Sequence, residues 1–454
     1  MFGENHLSKI AKENISASYP ALDEILKVTA NPYDEVKNKD GILNLGMAVN
    51  KLNDEEILET LNKLVKIEKH DLDYGVAHGS VPLREAVSGL FNKYFAPRHD
   101  IVPDDIVVTN GCTAALDLLA ATICDPGDAV LIPAPYYSQF ETDLYLKPRA
   151  QAHSVHVPVD ELESEDQVKY FEAKVAELKG NDGIAPKMMI VCNPHNPLGR
   201  CYPAKVIEAL LRFANRHNIY VIMDEIYALS VYRTPEDVAE SESASADVVH
   251  PFKSVLSFEN LNEIIDPSLV VVLHGLSKDF CMNGLRMGWI VSPFNKNLVS
   301  AAKALSETYY MSSIADSLVT SFLSDTDSID KFISTNKLRL KENYNKITGY
   351  LKQHEIPYVP AYAGVFVWVD LRKYLMEWRN KNLLPGQAQI TSTDQLTFDD
   401  EFRMWADTID KGKIYITSGQ SFKSDEPGWF RLIFAIPWDT LKTGLDRLLE
   451  FISK

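Results

Sequence analysis

Four short apolar runs recur along the middle of the chain: Val130–Pro133, Met188–Cys192, Ile219–Met223 and Val270–His274. Runs of this length with no polar alternation read as strands buried on both faces. Between the second and third lies Pro203–His217, where Val206, Leu210 and Phe213 recur at helical spacing and Ile207, Leu211 and Ala214 widen the stripe. Pro203 is expected in the first helical turn, where its missing N–H is not needed. Strand, crossover helix, strand is the connection of a parallel sheet covered by helices on both faces. An α/β fold with a mostly parallel central sheet follows. The rhythm belongs to residues 71–318. Residues 1–70 and 319–454 lack it and are expected to form an N-terminal arm and a smaller α+β domain built from both termini. Two stretches break the pattern, the acidic, Ser-rich Thr234–Asn262 and the Gln/Thr/Asp-rich Pro385–Asp400, and both read as solvated loops.

Composition excludes more than it assigns. Of 454 residues, 46% are hydrophobic and 24% charged, the balance of a globular chain, and Lys+Arg 46 against Asp+Glu 63 leave a net charge of −17. So acidic a surface repels phosphate backbones, and no nucleic-acid partner is expected. The cysteines (Cys112, Cys124, Cys192, Cys201, Cys281) are odd in number and form no C-x-x-C pair, which favours reduced thiols. The opening MFGENHLSKIAKENIS has neither an apolar signal core nor an Arg-rich amphipathic pattern, and the aliphatic stretch Leu269–Leu273 is too short to span a bilayer. A cytoplasmic protein without a membrane partner is the expectation. His78 and His195 lack metal-ligand spacing, and with no H-E-x-x-H and no Cys/His cluster no metal site is expected. A G-x-S-x-G elbow is missing too.

Ligands of parallel sheets bind beyond the carboxyl ends of the strands, and chemistry-bearing residues gather at those places. Asn193-Pro-His-Asn-Pro-Leu-Gly199 follows one run, Asp224-Glu-Ile-Tyr227 the next, and Gly275-Leu-Ser-Lys278 the last, with Arg286 beyond it. Upstream, Thr109-Asn-Gly-Cys-Thr-Ala-Ala-Leu116 is a small-residue turn opening a helix. Singly each is weak. A lone lysine after a strand is usually solvated, and a lone DEIY is usually a strand end. Together they meet the demands of a pyridine aldehyde phosphate: an amine for covalent attachment, a carboxylate for the ring nitrogen, donors for the phenolic oxygen, and helix amides plus an arginine for the phosphate.

In these motifs the chain resembles the class I/II aminotransferase family of pyridoxal-phosphate enzymes, of fold type I. The resemblance covers roughly Gly41 to the C-terminus and implies pyridoxal 5'-phosphate as cofactor. It implies that Lys278 carries the cofactor and shuttles the α-proton, that Asp224 pairs with the pyridinium nitrogen, and that Tyr227 and Asn196 bond the phenolic oxygen. Arg286 and the backbone amides of Cys112 and Thr113 would hold the phosphate. Tyr137, in Pro133-Ala-Pro-Tyr-Tyr137, would stack on the ring, with Tyr136 packing instead. Arg431, in Trp429-Phe-Arg431, would clamp the substrate carboxylate, with Ala48, Asn196 and Tyr137 beside it. Asp73-Tyr-Gly-Val-Ala-His-Gly79 resembles the segment that reaches the neighbouring subunit, so Tyr74 would touch the partner's cofactor phosphate. That implies a homodimer with active sites completed across the interface. The competing reading of Tyr74 is packing within its own chain.

Within the family, Leu43-Asn-Leu-Gly-Met-Ala48, Asp125-Pro-Gly-Asp128, Leu276-Ser-Lys-Asp279 and Glu426-Pro-Gly-Trp-Phe-Arg431 are most similar to 1-aminocyclopropane-1-carboxylate synthases and their relatives. Two departures stand out. Val49 stands where those synthases have a carboxylate, which weakens the case for a sulfonium substrate. Gly275 stands where the family often has a serine on the phosphate. Transamination of an α-amino acid is the leading expectation. A synthase-like reaction or carbon–sulfur elimination or replacement is the alternative. A non-catalytic sensor is disfavoured, because Lys278, Asp224 and Arg431 are all retained.

Overall fold

The computed structural model describes residues 6–16, 22–181, 183–235, 237 and 248–453. Among them are three sheets, the smallest pairing β1 (Leu43–Asn44) in parallel with β11 (Ile414–Tyr415). The largest contains β2 (Ile106–Thr109), β3 (Ala129–Ala134), β4 (Gln151–His156), β5 (Met188–Cys192), β6 (Tyr220–Asp224), β7 (Val270–Gly275) and β8 (Gly288–Val291), in the order β2-β8-β7-β6-β5-β3-β4. From β4 across to β7 every pairing is parallel. Strand β8 is antiparallel to both β7 and β2, so β2 runs with β7 and only β8 is reversed. Strands β2, β3, β5, β7 and β8 are buried throughout, which is why they read as apolar runs rather than alternations. All four runs are strands, with ends displaced by at most one residue.

The crossover helix Ala204–His217 buries Val206, Ile207, Leu210, Leu211, Phe213 and Ala214 and stops at Asn218, whose φ of 53 closes it in the left-handed conformation. Pro203 departs from the expectation. It is the N-cap, with φ −54 and ψ 142, because its extended ψ turns the chain into the helix from outside.

The third sheet, β12-β13-β10-β9, is antiparallel and is made of β9 (Tyr358–Val359), β10 (Phe366–Asp370), β12 (Thr417–Ser418) and β13 (Trp429–Ile433). It packs with Leu340, Ile347, Leu445 and Leu448 of two helices and with Val28, Leu43 and Leu45 from the N-terminal side, in a cluster distinct from the core of the large sheet.

Neither stretch expected as a solvated loop is wholly one. In Thr234–Asn262, residues 236 and 238–247 lie outside the described residues. Downstream, Val255, Leu256 and Phe258 are buried in the main core, and Glu225 Oε1 accepts the Val255 amide at 2.9 Å. Three large apolar side chains outweigh the polar company they keep in sequence. Pro385–Asp400 is tied down at Ala388, whose carbonyl accepts from Arg379 at 2.8 Å, and at Ile390, which exchanges two bonds with the Asn380 amide. It ends inside helix Phe398–Asp410. No helix among the described residues is long and apolar enough to cross a membrane, and all five cysteines are free.

Candidate active site

Because β2, β3, β5, β6 and β7 point the same way, their carboxyl ends share one edge of the sheet. Asp224 is the last residue of β6, Asn196 lies in the turn after β5, Tyr137 follows β3, and Lys278 stands three residues beyond β7. They line one cavity of about 130 Å³ with Cys112, Thr113, Tyr227 and Arg286. Residues far apart in sequence thus converge on one crevice, as the parallel topology requires.

At one end of the cavity, helix Cys112–Ile123 starts after Gly111, which offers no capping side chain. Gly111 has φ +111, and a Cβ there would lie 2.4 Å from Arg286 Nη2. Only glycine lets the guanidinium rest on the helix entrance. Thr113 and Arg286 are exposed, and Arg286 donates to the Asn283 carbonyl at 3.0 Å. An uncapped helix start, a hydroxyl and an arginine together suit an anion. Gly275 cannot carry the serine expected of the family. It pairs with Gly288 across β7 and β8, and a Cβ at 275 would sit 2.7 Å from the Met287 carbonyl oxygen. Ser277, two residues on, lines the cavity instead.

The other end is buried and charged. Asp224 is 7% exposed. Burial pushes its carboxyl up to about 6, against the Ile226 amide, the Cys192 thiol and the Lys278 charge, which hold it down. Burial, with Arg431 nearby, lowers Lys278 to about 8, and its Nζ donates to the Ala48 carbonyl at 2.6 Å. Ala48 therefore meets the site through its backbone. Arg431, central in β13 between Trp368 and Thr417, is 3% exposed. It donates from Nη1 to Asn196 Oδ1 at 2.8 Å and from Nη2 to the Gly46 carbonyl at 2.7 Å, and its Nε has no partner among the described residues. Phe366 and Phe422 flank the guanidinium at 5.1 and 4.7 Å. Burial pushes Tyr137 up to about 12 and Tyr227 well above the usual phenol value, so both hydroxyls keep their protons. Tyr136 packs, with its hydroxyl on Glu141 and Ser154.

Ala48 and Arg431 adjoin the cavity through their bonds to Lys278 and Asn196, whereas Tyr74 is not among the residues that line it. Tyr74 is 96% exposed, which removes packing within its own chain as an explanation. Sequence reasoning missed Asp143, Cys192, Ser277 and Asn283, which also line the cavity. For Asp143 a signal existed: it lies one helical turn after Phe140, on the same face of the short helix Gln139–Tyr145. Burial and the neighbouring Asp117 raise it to about 7.

This donor set fits pyridoxal phosphate. A desolvated amine and a buried carboxylate share the cavity with an uncapped helix start, and Arg431, bonded to the cavity-lining Asn196, keeps an unpartnered Nε–H. Comparison with known proteins agrees. The sequence profile described as "Aminotransferase class I and II" matches residues 41–448. Over 430 residues the chain is 32% identical to 1-aminocyclopropane-1-carboxylate synthase-like protein 1 of Mus musculus, covering 93% of this chain and 78% of that one. It is 33% identical over 378 residues to the "Probable aminotransferase gliI" of Aspergillus fumigatus, covering 83% and 80%. The alanine aminotransferase of Pyrococcus furiosus shares its fold, with a TM-score of 0.72 at 22% identity over 98% and 99% of the two chains. With the crevice and the profile match in agreement, the chain belongs to the class I and II aminotransferase family of pyridoxal-phosphate-dependent enzymes.

Proposed function

We propose that the protein transfers the amino group of an α-amino acid to a 2-oxo acid, with Lys278, Asp224 and Tyr227 as catalytic residues. One observation carries the reading. The two buried cations, Lys278 and Arg431, grip the carbonyls of Ala48 and Gly46, two residues apart on one segment. Carbonyls so spaced lie within about 7 Å of each other, since consecutive Cα atoms are about 3.8 Å apart. An amine able to carry an aldehyde cofactor and a carboxylate clamp that close suit one small zwitterion, bound by its α-carbon substituents.

Bound in the cavity, pyridoxal phosphate supplies a ring that withdraws electrons from the amino acid's α-carbon. The protein's part is to position it and to move protons. Lys278 Nζ, lowered to about 8, keeps an appreciable unprotonated fraction near neutrality, both to attach the aldehyde and to take the α-proton. Asp224, ionised above about 6, would pair with the ring nitrogen and keep it protonated. Tyr227 and Asn196 would donate to the phenolic oxygen, and Tyr137 would stack on the ring. Arg286 and the amides of Cys112 and Thr113 would hold the phosphate. Arg431 turns from the Gly46 carbonyl to the substrate carboxylate, a bidentate partner better matched to its fork.

The enzyme acts as a homodimer. Tyr74 and the exposed apolar side chains Leu58, Ile67, Leu72, Val76 and Val81 cluster on the segments around it, a face suited to a second copy whose cavity Tyr74 completes. Free cysteines agree with a reducing cytoplasm. Val49, partly buried beside Ala48, brings no carboxylate to a sulfonium. The test is a panel of amino acids incubated with 2-oxoglutarate or pyruvate and read by mass spectrometry. New amino acid formed only with acceptor supports transamination. Ammonia and oxo acid formed without acceptor would establish elimination instead.

A further inference from the structure

Behind the cavity, directly after Lys278, lies a carboxylate with no part in the chemistry above. Asp279 is 1% exposed and its two oxygens accept three hydrogen bonds: from the Leu229 amide at 2.8 Å, the Ser230 hydroxyl at 2.5 Å and His274 Nε2 at 2.9 Å. Leu229 and Ser230 follow Tyr227 in the turn that leaves β6, where the Ser230 amide bonds back to the Tyr227 carbonyl. His274 belongs to β7, four residues before Lys278. One side chain on the Lys278 loop is therefore bonded to the Asp224–Tyr227 turn and to the strand beneath it.

The tautomer of His274 follows from its surroundings. Its ring is fully buried against Phe95 at 5.1 Å, Trp289 at 5.5 Å and Phe91 at 6.0 Å, and Nδ1 has no partner among the described residues. The ring proton shared with Asp279 sits on Nε2. A fully buried carboxylate is costly even when bonded, and an apolar side chain of its size is often no worse for stability. What apolar packing cannot provide is three directional bonds to two separate segments. The negative charge also reaches Asp224, whose carboxyl it helps to raise.

We propose that Asp279 is a positioning residue that fastens the Lys278 loop to the Asp224–Tyr227 turn, fixing the amine and the carboxylate relative to each other across the cavity. This rests on the roles given above to Lys278 and Asp224, and the test separates the two. In Asp279→Asn the shape is kept while the charge and one acceptor oxygen are lost. At saturating cofactor, kcat falls by about tenfold or more while KM for the amino acid stays within about twofold, because misplacement affects the reacting geometry rather than binding. The visible absorbance of the lysine-bound cofactor weakens or shifts. In the apoprotein the Leu229 amide exchanges about tenfold faster while the amides of Val221–Met223 are unchanged, as loss of one buried hydrogen bond predicts. Ser230→Ala removes one donor, leaves the charge, and moves each readout the same way by a smaller factor. If Asp279→Asn keeps its kcat and spectrum, or loses only thermal stability, the proposal is overturned. If that variant does not fold, parent-like kcat and spectrum in both Ser230→Ala and His274→Gln overturn it equally. A parent protein that takes up no cofactor would instead refute the roles of Lys278 and Asp224.

Discussion

The two ends of the cavity are built differently. At the inner end Asp224 and Arg431 are buried, Lys278 is desolvated, and each is held by bonds from the same chain. At the outer end Thr113 and Arg286 are exposed. The inner end carries its cost in the folded chain, since two charged groups sit there at values far from their ordinary ones. At the outer end the strained group is Asp143, raised to about 7 beside Thr113. On the proposed roles, chemistry is preorganised at the inner end and binding of the phosphate is left open at the outer one.

The largest break in this contrast comes from Arg431→Ala. Leaving a buried charge unpaired costs about 3–5 kcal/mol, so kcat/KM for amino acids drops by roughly 10² to 10³ or more while cofactor affinity is unchanged. Steady-state kinetics beside a cofactor titration separate the two.

A second prediction concerns the cost of the inner end. The folded value of Asp224, about 6, lies above its ordinary 3.8, so ionisation penalises the folded state. The penalty begins as pH rises past 3.8, where the unfolded carboxylate ionises, and is complete above about 6. Asp224→Asn removes it. The apoprotein variant should be more stable at pH 7, by about 3 kcal/mol at most, with the gain shrinking as pH falls from 6 towards 4, although the loaded variant is nearly inactive. Denaturant melts at both pH values check the sign.

Arg286→Ala sharpens the contrast from the other side. Losing an exposed charge-assisted bond weakens cofactor binding by about tenfold, and kcat at saturating cofactor changes little. A kcat loss as large as that of Arg431→Ala would mean the outer end is not merely a binding end.

The large sheet and the inner end were legible in sequence for the same reason. Strands buried on both faces leave uninterrupted apolar runs, and their ends carry Asp224, Asn196 and Lys278 at recognisable places. Strand β8 was not legible, because Gly288-Trp-Ile-Val291 is short and owes its place to pairing on both edges rather than to its own pattern. The β12-β13-β10-β9 sheet escaped likewise, its strands being as short as two residues. Val255, Leu256 and Phe258 looked like loop because acidic neighbours dominate the window. Asp143 left only its helical spacing from Phe140 as a signal, and Asp279 was missed because its meaning lies in what it faces, which no spacing along the chain records.

The most direct test of the account is to load the purified protein with pyridoxal phosphate, reduce it with borohydride and map the labelled peptide. The account predicts visible absorbance before reduction and one label, on Lys278, absent from Lys278→Ala. A colourless protein, or a label on any other lysine, would contradict it.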